Sequence, residues 1–155
     1  DLDPSSTIIK WHTDNGDTEV LPQMKTDVTL TSKNKIWIID GKYYSKTMQI
    51  NRLYNTKTIH SHNMYQIFTY VKNVDKTNSG NVSALLLYAK TDESIDLNKD
   101  YIIGGNRISV KTLDLNTDFS DIEKQLNEIV EEFKLWKIKS LMTFQGLTAL
   151  FIVFL

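Results

Sequence analysis

Ile36-Trp37-Ile38-Ile39-Asp40-Gly41-Lys42-Tyr43-Tyr44 is an apolar run that ends by presenting an acid and a lysine. Residues 36–39 show no polar alternation, which predicts a buried strand covered on both faces, as central strands are. Side chains of a strand repeat every second residue, so Asp40 and Lys42 emerge on the same face. The preceding run, Met24-Lys25-Thr26-Asp27-Val28-Thr29-Leu30, holds a second acid, Asp27. There Val28 and Leu30 alternate with polar residues, the pattern of a half-buried strand, and Ser32-Lys33-Asn34-Lys35 makes the hairpin connection. Two adjacent strands carrying Asp27 and then Asp40-x-Lys42 suit a hard cation beside a phosphodiester.

Upstream, Ile8-Ile9-Lys10-Trp11 reads as a short strand, and Asn15-Gly16 favours a tight hairpin. Downstream, the period changes. Met64, Ile67, Phe68 and Val71 fall at i, i+3, i+4 and i+7, an apolar helical stripe over 61–74 that Ser61 is placed to cap. The same helix sets Gln66 and Tyr70 at i and i+4 on one face. Asp75 to Asn81 is a turn-forming loop, and Ala84-Leu85-Leu86-Leu87-Tyr88 is another strand. Tyr101 to Leu113 reads as a hairpin turning at Gly104-Gly105-Asn106, with no helix following to make a phosphate loop. A last helix begins at Ser120, where Ser120 and Glu123 form a capping box, and buries Ile122, Leu126, Ile129, Val130 and Phe133. Strands, a helix, more strands and a closing helix predict one mixed α/β domain over 1–133.

The chain has 155 residues, enough for one domain, with 41% hydrophobic and 24% charged side chains and a net charge of −1. That balance lacks the basic character of an autonomous DNA binder. Yet Lys33, Lys35, Lys42, Lys46, Arg52 and Lys57 face one acid, Asp40, between residues 33 and 62. This segment is either a phosphate-facing surface or a set of solvated lysines. No cysteine is present, which excludes disulfides, thiolate zinc sites and cysteine nucleophiles and suits a reducing, cytoplasmic compartment. His60 and His62 stand two apart with His12 distant, too few for a histidine metal site; His62, near a helix start, is phosphate-facing or exposed. No Gly-x-Ser-x-Gly elbow occurs. Asp1 in place of Met, without a basic-then-apolar leader, reads as a fragment or processed chain. The uncharged stretch 140–155 leaves three readings open: a segment packing on a partner, a truncated or out-of-frame terminus, or a membrane tail. The first of these is preferred, and no membrane association is expected.

Phosphodiester hydrolysis needs an activated water and neutralisation of charge on the phosphate oxygens, which Mg²⁺ provides through oxygen ligands. Asp27 and Asp40 are the candidate ligands, with the Gly41 carbonyl as a third oxygen. Lys42 would stay charged beside two carboxylates and stabilise the developing negative charge.

This combination resembles the PD-(D/E)XK nuclease superfamily, specifically members with a Gln-x-x-x-Tyr motif in the helix after the catalytic strands. Residues 21–30, Ile38 to Tyr44, and Asn63 to Asn73 are similar to the McrC family, the nuclease subunits of McrBC modification-dependent restriction systems. Leu85 to Lys90 is similar to the next strand of that family, Lys111 to Leu115 matches more loosely, and the likeness covers roughly 8–133. It implies that Asp27 and Asp40 bind Mg²⁺, that Lys42 is the catalytic lysine and that Gln66 and Tyr70 support the site. Gln66 would orient Lys42 or a bound water; Tyr70 would bond a phosphate or fill the core. It also implies DNA as substrate and an AAA+ GTPase of the McrB type as partner. Two departures stand out. At the start, the chain is expected to begin after the family's N-terminal, GTPase-engaging part, and no acid-bearing helix is read before Asp27, since Asp14, Asp17 and Glu19 lie in a turn-rich, solvated stretch. At the end, the apolar tail after Phe133, residues 134–155, matches nothing in the family pattern. A repair or recombination nuclease of the same superfamily and a non-catalytic assembly module are the alternatives.

Overall fold

In the computed structural model, which describes residues 3–32, 34–44, 48–51, 56–90 and 96–135, the chain is strand-rich, with one helix between strands and another after the last of them. The strands are β1 (Asp3–Ser5), β2 (Ile8–Ile9), β3 (Met24–Lys25), β4 (Val28–Ser32), β5 (Lys35–Lys42), β6 (Met48–Asn51) and β7 (Thr56–Ile59). Helix α1 (Ser61–Val74) follows, then β8 (Val82–Ala89), β9 (Asn98–Ile103) and β10 (Asn106–Leu113). A second helix, α2, spans 119–135. The chain divides into two compact units, Asp1–Asp114 and Leu115–Leu155. The stretch 140–155 lies outside the described residues, and no helix among them is long and apolar enough to cross a membrane.

The first unit is built on a six-stranded mixed sheet ordered β1-β4-β5-β8-β10-β9. β5 runs antiparallel to β4 and parallel to β8, and β8 runs parallel to β10. A parallel β5–β8 pair requires a crossover, and α1 lies within it. The sheet face under α1 carries Ile38, Val82, Ala84, Leu86, Tyr88, Ile108 and Val110, which pack with Ile67, Tyr70 and Val71 of the helix. Ile38, Ile67, Leu86 and Ile108 are almost fully buried, each contributing on the order of 1.5–3 kcal/mol. This layer fixes the height of α1 above the carboxyl end of β5.

Several expectations from the sequence are corrected. The run 24–30 is not one strand: β3 pairs with β2 in a separate two-stranded sheet, and only β4 joins the main one. The cause is local polar bonding. Thr26 Oγ1 accepts from Thr7 N at 2.9 Å and meets Thr29 Oγ1 at 2.9 Å, so the chain bends at Asp27. With the bend, Thr29 is buried and Val28 exposed, the reverse of the predicted face. Gly16 closes a local turn onto Thr13 O rather than a hairpin. Helix α1 is preceded by His60 as N-cap without a side-chain capping bond, and Ser61 is already its first helical residue. Likewise α2 begins one residue before Ser120, with the Asp118 carbonyl accepting from Asp121 N and Ile122 N. On α2, Ile129 is buried but Leu126 is exposed.

The Gly104-Gly105 hairpin between β9 and β10 forms as read, with φ of +57° and +86°. Two successive positive φ values make the primed turn that matches strand twist.

Candidate active site

Strand β5 leaves its partner β4 before it ends. The β4–β5 register stops at Val28↔Ile39, while β5 continues beside β8 through Lys42↔Tyr88. Asp40, Gly41 and Lys42 therefore lie past the last β4 pairing, where the backbone lacks a β4 neighbour. Asp27, at the bend, supplies a substitute: its Oδ2 accepts from Gly41 N at 2.8 Å. A side-chain acceptor thus replaces the missing ladder partner. Asp27 reaches the site from a bend and not from a strand, yet its carboxylate meets the peptide directly after Asp40.

Asp40 is 2% exposed. Burial pushes its carboxyl above the ordinary 3.8; the Lys42 bond and charge pull the other way, and the negative charge of Asp27 adds to the rise. Its Oδ2 lies 2.6 Å from Lys42 Nζ. That ion pair is the contact of Oδ2, and no other donor among the described residues reaches this buried oxygen. Lys42 Nζ also donates to Gln66 Oε1 at 3.0 Å, and Gln66 Nε2 donates to Tyr70 OH at 2.9 Å. The amide is thereby oriented, oxygen to the ammonium and nitrogen to the phenol. Tyr70 is buried, as a core-filling tyrosine would be, but its hydroxyl is part of this chain.

All six residues singled out in the sequence meet here: Asp40, Lys42, Gln66 and Tyr70 in a continuous polar chain, with Asp27 joined through the Gly41 amide. A buried carboxylate oxygen met by a single ammonium, with the exposed Asp27 carboxylate on the following peptide, could hold a hard, oxygen-seeking cation. Among the described residues no group of three His, Cys, Asp or Glu gathers to hold a metal. Two carboxylates are nevertheless a usual protein share for Mg²⁺, which keeps several of its waters. The residues present fit that ion.

Sequence reasoning passed over a second cluster next to the first. Tyr44 OH donates to Asn63 Oδ1 at 3.1 Å and stands 3.3 Å from His62 Nε2; Asn63 Nδ2 donates to Tyr88 OH at 2.9 Å. Tyr44 stacks on His60 with ring centres 4.8 Å apart. Burial raises the Tyr88 phenol, the Asn63 bond lowers it, and the charges of Tyr44 and Asp40 raise it further. Also missed was Asp75, buried at the end of α1. Burial alone would raise its carboxyl, but donors from Asn106, Ser79 and Gly80 hold it at about 2. The signal for Tyr44 lay in the period of two that already joined Asp40 to Lys42. Asn63 and Asp75 gave none, because polar residues at a helix start and end read as solvated.

A mixed α/β domain whose central strand delivers an acid and a lysine to a glutamine on the crossover helix is the class that this fold and site define. The chain belongs to the family described as "McrBC 5-methylcytosine restriction system component", whose family model matches residues 5–89. That span runs from β1 to the end of β8 and includes every residue of the site. The chain is also 33% identical over 114 residues to the "Type IV methyl-directed restriction enzyme EcoKMcrBC" of Escherichia coli (strain K12). The alignment covers 74% of this chain and 32% of that relative, so the chain spans about a third of the relative's length.

Proposed function

We propose that this chain is the nuclease domain of a modification-dependent restriction system, with a PD-(D/E)XK site that hydrolyses DNA phosphodiesters. The observation that carries the reading is the Asp40–Lys42–Gln66 arrangement beside Asp27, on the segment that matches the McrBC family. Asp27 and Asp40 would hold Mg²⁺, with the Gly41 carbonyl as a further oxygen. When bound, the ion supplies charge neutralisation at the phosphate and a more acidic water.

The chain's own residues do the rest. Lys42, fixed between Asp40 and Gln66, presents an ammonium to the non-bridging phosphate oxygens as water attacks phosphorus and the bond to the departing strand breaks. Gln66 keeps that ammonium from swinging, and Tyr70 keeps Gln66 from flipping. Burial still raises the Asp40 carboxyl despite its pairing with Lys42, which favours taking up a further cation. Base recognition and DNA translocation belong, in this reading, to an AAA+ GTPase of the McrB type, and the protein works in the cytoplasm.

The test is cleavage of methylated and unmethylated plasmid by the full-length protein with its GTPase, Mg²⁺ and GTP. Methylated plasmid is cut by the wild type and left intact by Asp40→Ala with an unchanged circular dichroism spectrum. Equal cutting by Asp40→Ala would refute the assignment and favour an assembly module.

A further inference from the structure

The polar contacts of α1 with the end of β5 form a ladder. Gln66 grips Lys42, and one helical turn earlier Asn63 grips Tyr44. Residues i and i+3 on a helix share a face, as do i and i+2 on a strand. Two successive same-face residues of β5 and its exit are thus clasped by two successive rungs of α1. Asn63 is completely buried and makes a second bond, from Nδ2 to Tyr88 OH. Tyr88 is the residue paired with Lys42 across the parallel β5–β8 register. Asn63 therefore ties together three places around Lys42: the chain two residues beyond it, the strand position beside it and the helix that holds its ammonium.

We propose that Asn63 is a positioning residue for Lys42, acting through Tyr44 and Tyr88. The β5–β8 ladder ends at Lys42, so Tyr43 and Tyr44 have left the sheet. The Tyr44 hydroxyl holds that exit against the first turn of α1. Without it, the backbone of Lys42 can drift while Gln66 stays on its helix, and the distances of 2.6 Å to Asp40 and 3.0 Å to Gln66 are no longer held together. An amide suits the post because one oxygen accepts from Tyr44 and one nitrogen donates to Tyr88. Leucine or serine at this position would leave a buried phenol without its partner. This role gains its catalytic meaning from the nuclease reading, but the ladder itself can be tested without it.

The test is NMR of the 155-residue chain with ¹⁵N-labelled lysine, the Lys42 ammonium assigned from Lys42→Arg. In the wild type that signal stands apart from those of exposed lysines. In Tyr44→Phe, which deletes one hydroxyl, and in Asn63→Ala, it moves into the exposed-lysine pool at an unfolding midpoint that shows the chain folded. Tyr65→Ala, on an exposed part of α1, leaves it in place. A Lys42 signal unmoved in folded Tyr44→Phe overturns the proposal, and this variant decides the matter if Asn63→Ala fails to fold. Mn²⁺ binding by the wild type tests the nuclease reading separately. Binding with an unmoved Lys42 refutes only the positioning role, and a moved Lys42 without binding refutes only the nuclease.

Discussion

Replacing Asp75 by Asn tests the anchoring of α1 to the loop that follows it. One carboxylate oxygen of Asp75 accepts from Ser79 N and Ser79 Oγ, both at 2.8 Å; the other accepts from Gly80 N at 2.9 Å and Asn106 Nδ2 at 2.7 Å. An amide can keep only one oxygen, so at least one buried donor then faces another donor. The carboxyl is held at about 2 against an ordinary 3.8, which corresponds to on the order of 2 kcal/mol of stability at neutral pH. The sign follows from proton binding. The unfolded chain takes up the proton first as pH falls, so this contribution is full above 3.8 and is lost as pH approaches about 2. Urea unfolding of wild type and Asp75→Asn at a series of pH values reads the difference directly. At pH 7 the variant is less stable by about 2 kcal/mol, with Tm lower by roughly 4–8 °C, and the gap narrows by a similar amount in acid. A gap that stays constant with pH, or is absent at pH 7, refutes the reasoning.

Gly104→Ala should destabilise the chain by about 1–2 kcal/mol in thermal unfolding, since φ is +57° and a Cβ there would meet Lys72 Cε at 2.9 Å. Gly41 behaves differently: an added Cβ meets only Asp27 Oδ2, at an ordinary 3.7 Å. Gly41→Ala should therefore change stability by less than about 1 kcal/mol, as judged by the urea midpoint. Asp40→Asn should be at least as stable as wild type at pH 7. Burial raises the Asp40 carboxyl, so wild-type stability falls as pH rises above 3.8 and the advantage of the variant grows over that interval; equal pH profiles would contradict it. Lys42→Met should lose cleavage by on the order of 10²–10³-fold while retaining Mn²⁺ binding, measured by plasmid nicking and calorimetry.

The parts of this protein governed by repeating periods were open to reading from the sequence. Apolar residues 36–39 marked the central strand, and the stripe of Ile67 and Val71 marked α1 between the bounds found, Ser61–Val74. The same two periods placed Lys42 beside Asp40 and Gln66 beside Tyr70, where bonds now join them. What stayed hidden depends on bonds that no period encodes. Thr26 and Thr29 break a seven-residue run by bonding each other and Thr7, so a strand pattern became a strand, a bend and a strand. Asn63 looks like a solvated helix-start residue until Tyr44 and Tyr88 arrive from elsewhere in the chain. The partners of Asp75 include two backbone amides, which are invisible in composition. The cap of α1 was misplaced by one residue because Ser61 has the right chemistry but already holds helical conformation.

Calorimetric titration of the chain with Mn²⁺, beside Asp27→Ala and Asp40→Ala, puts the central claim to its most direct test. The account predicts saturable binding by the wild type and its loss in both variants, with each variant still folded. Absence of binding in the wild type, or binding that survives in both variants, would contradict a metal site built on this pair of carboxylates.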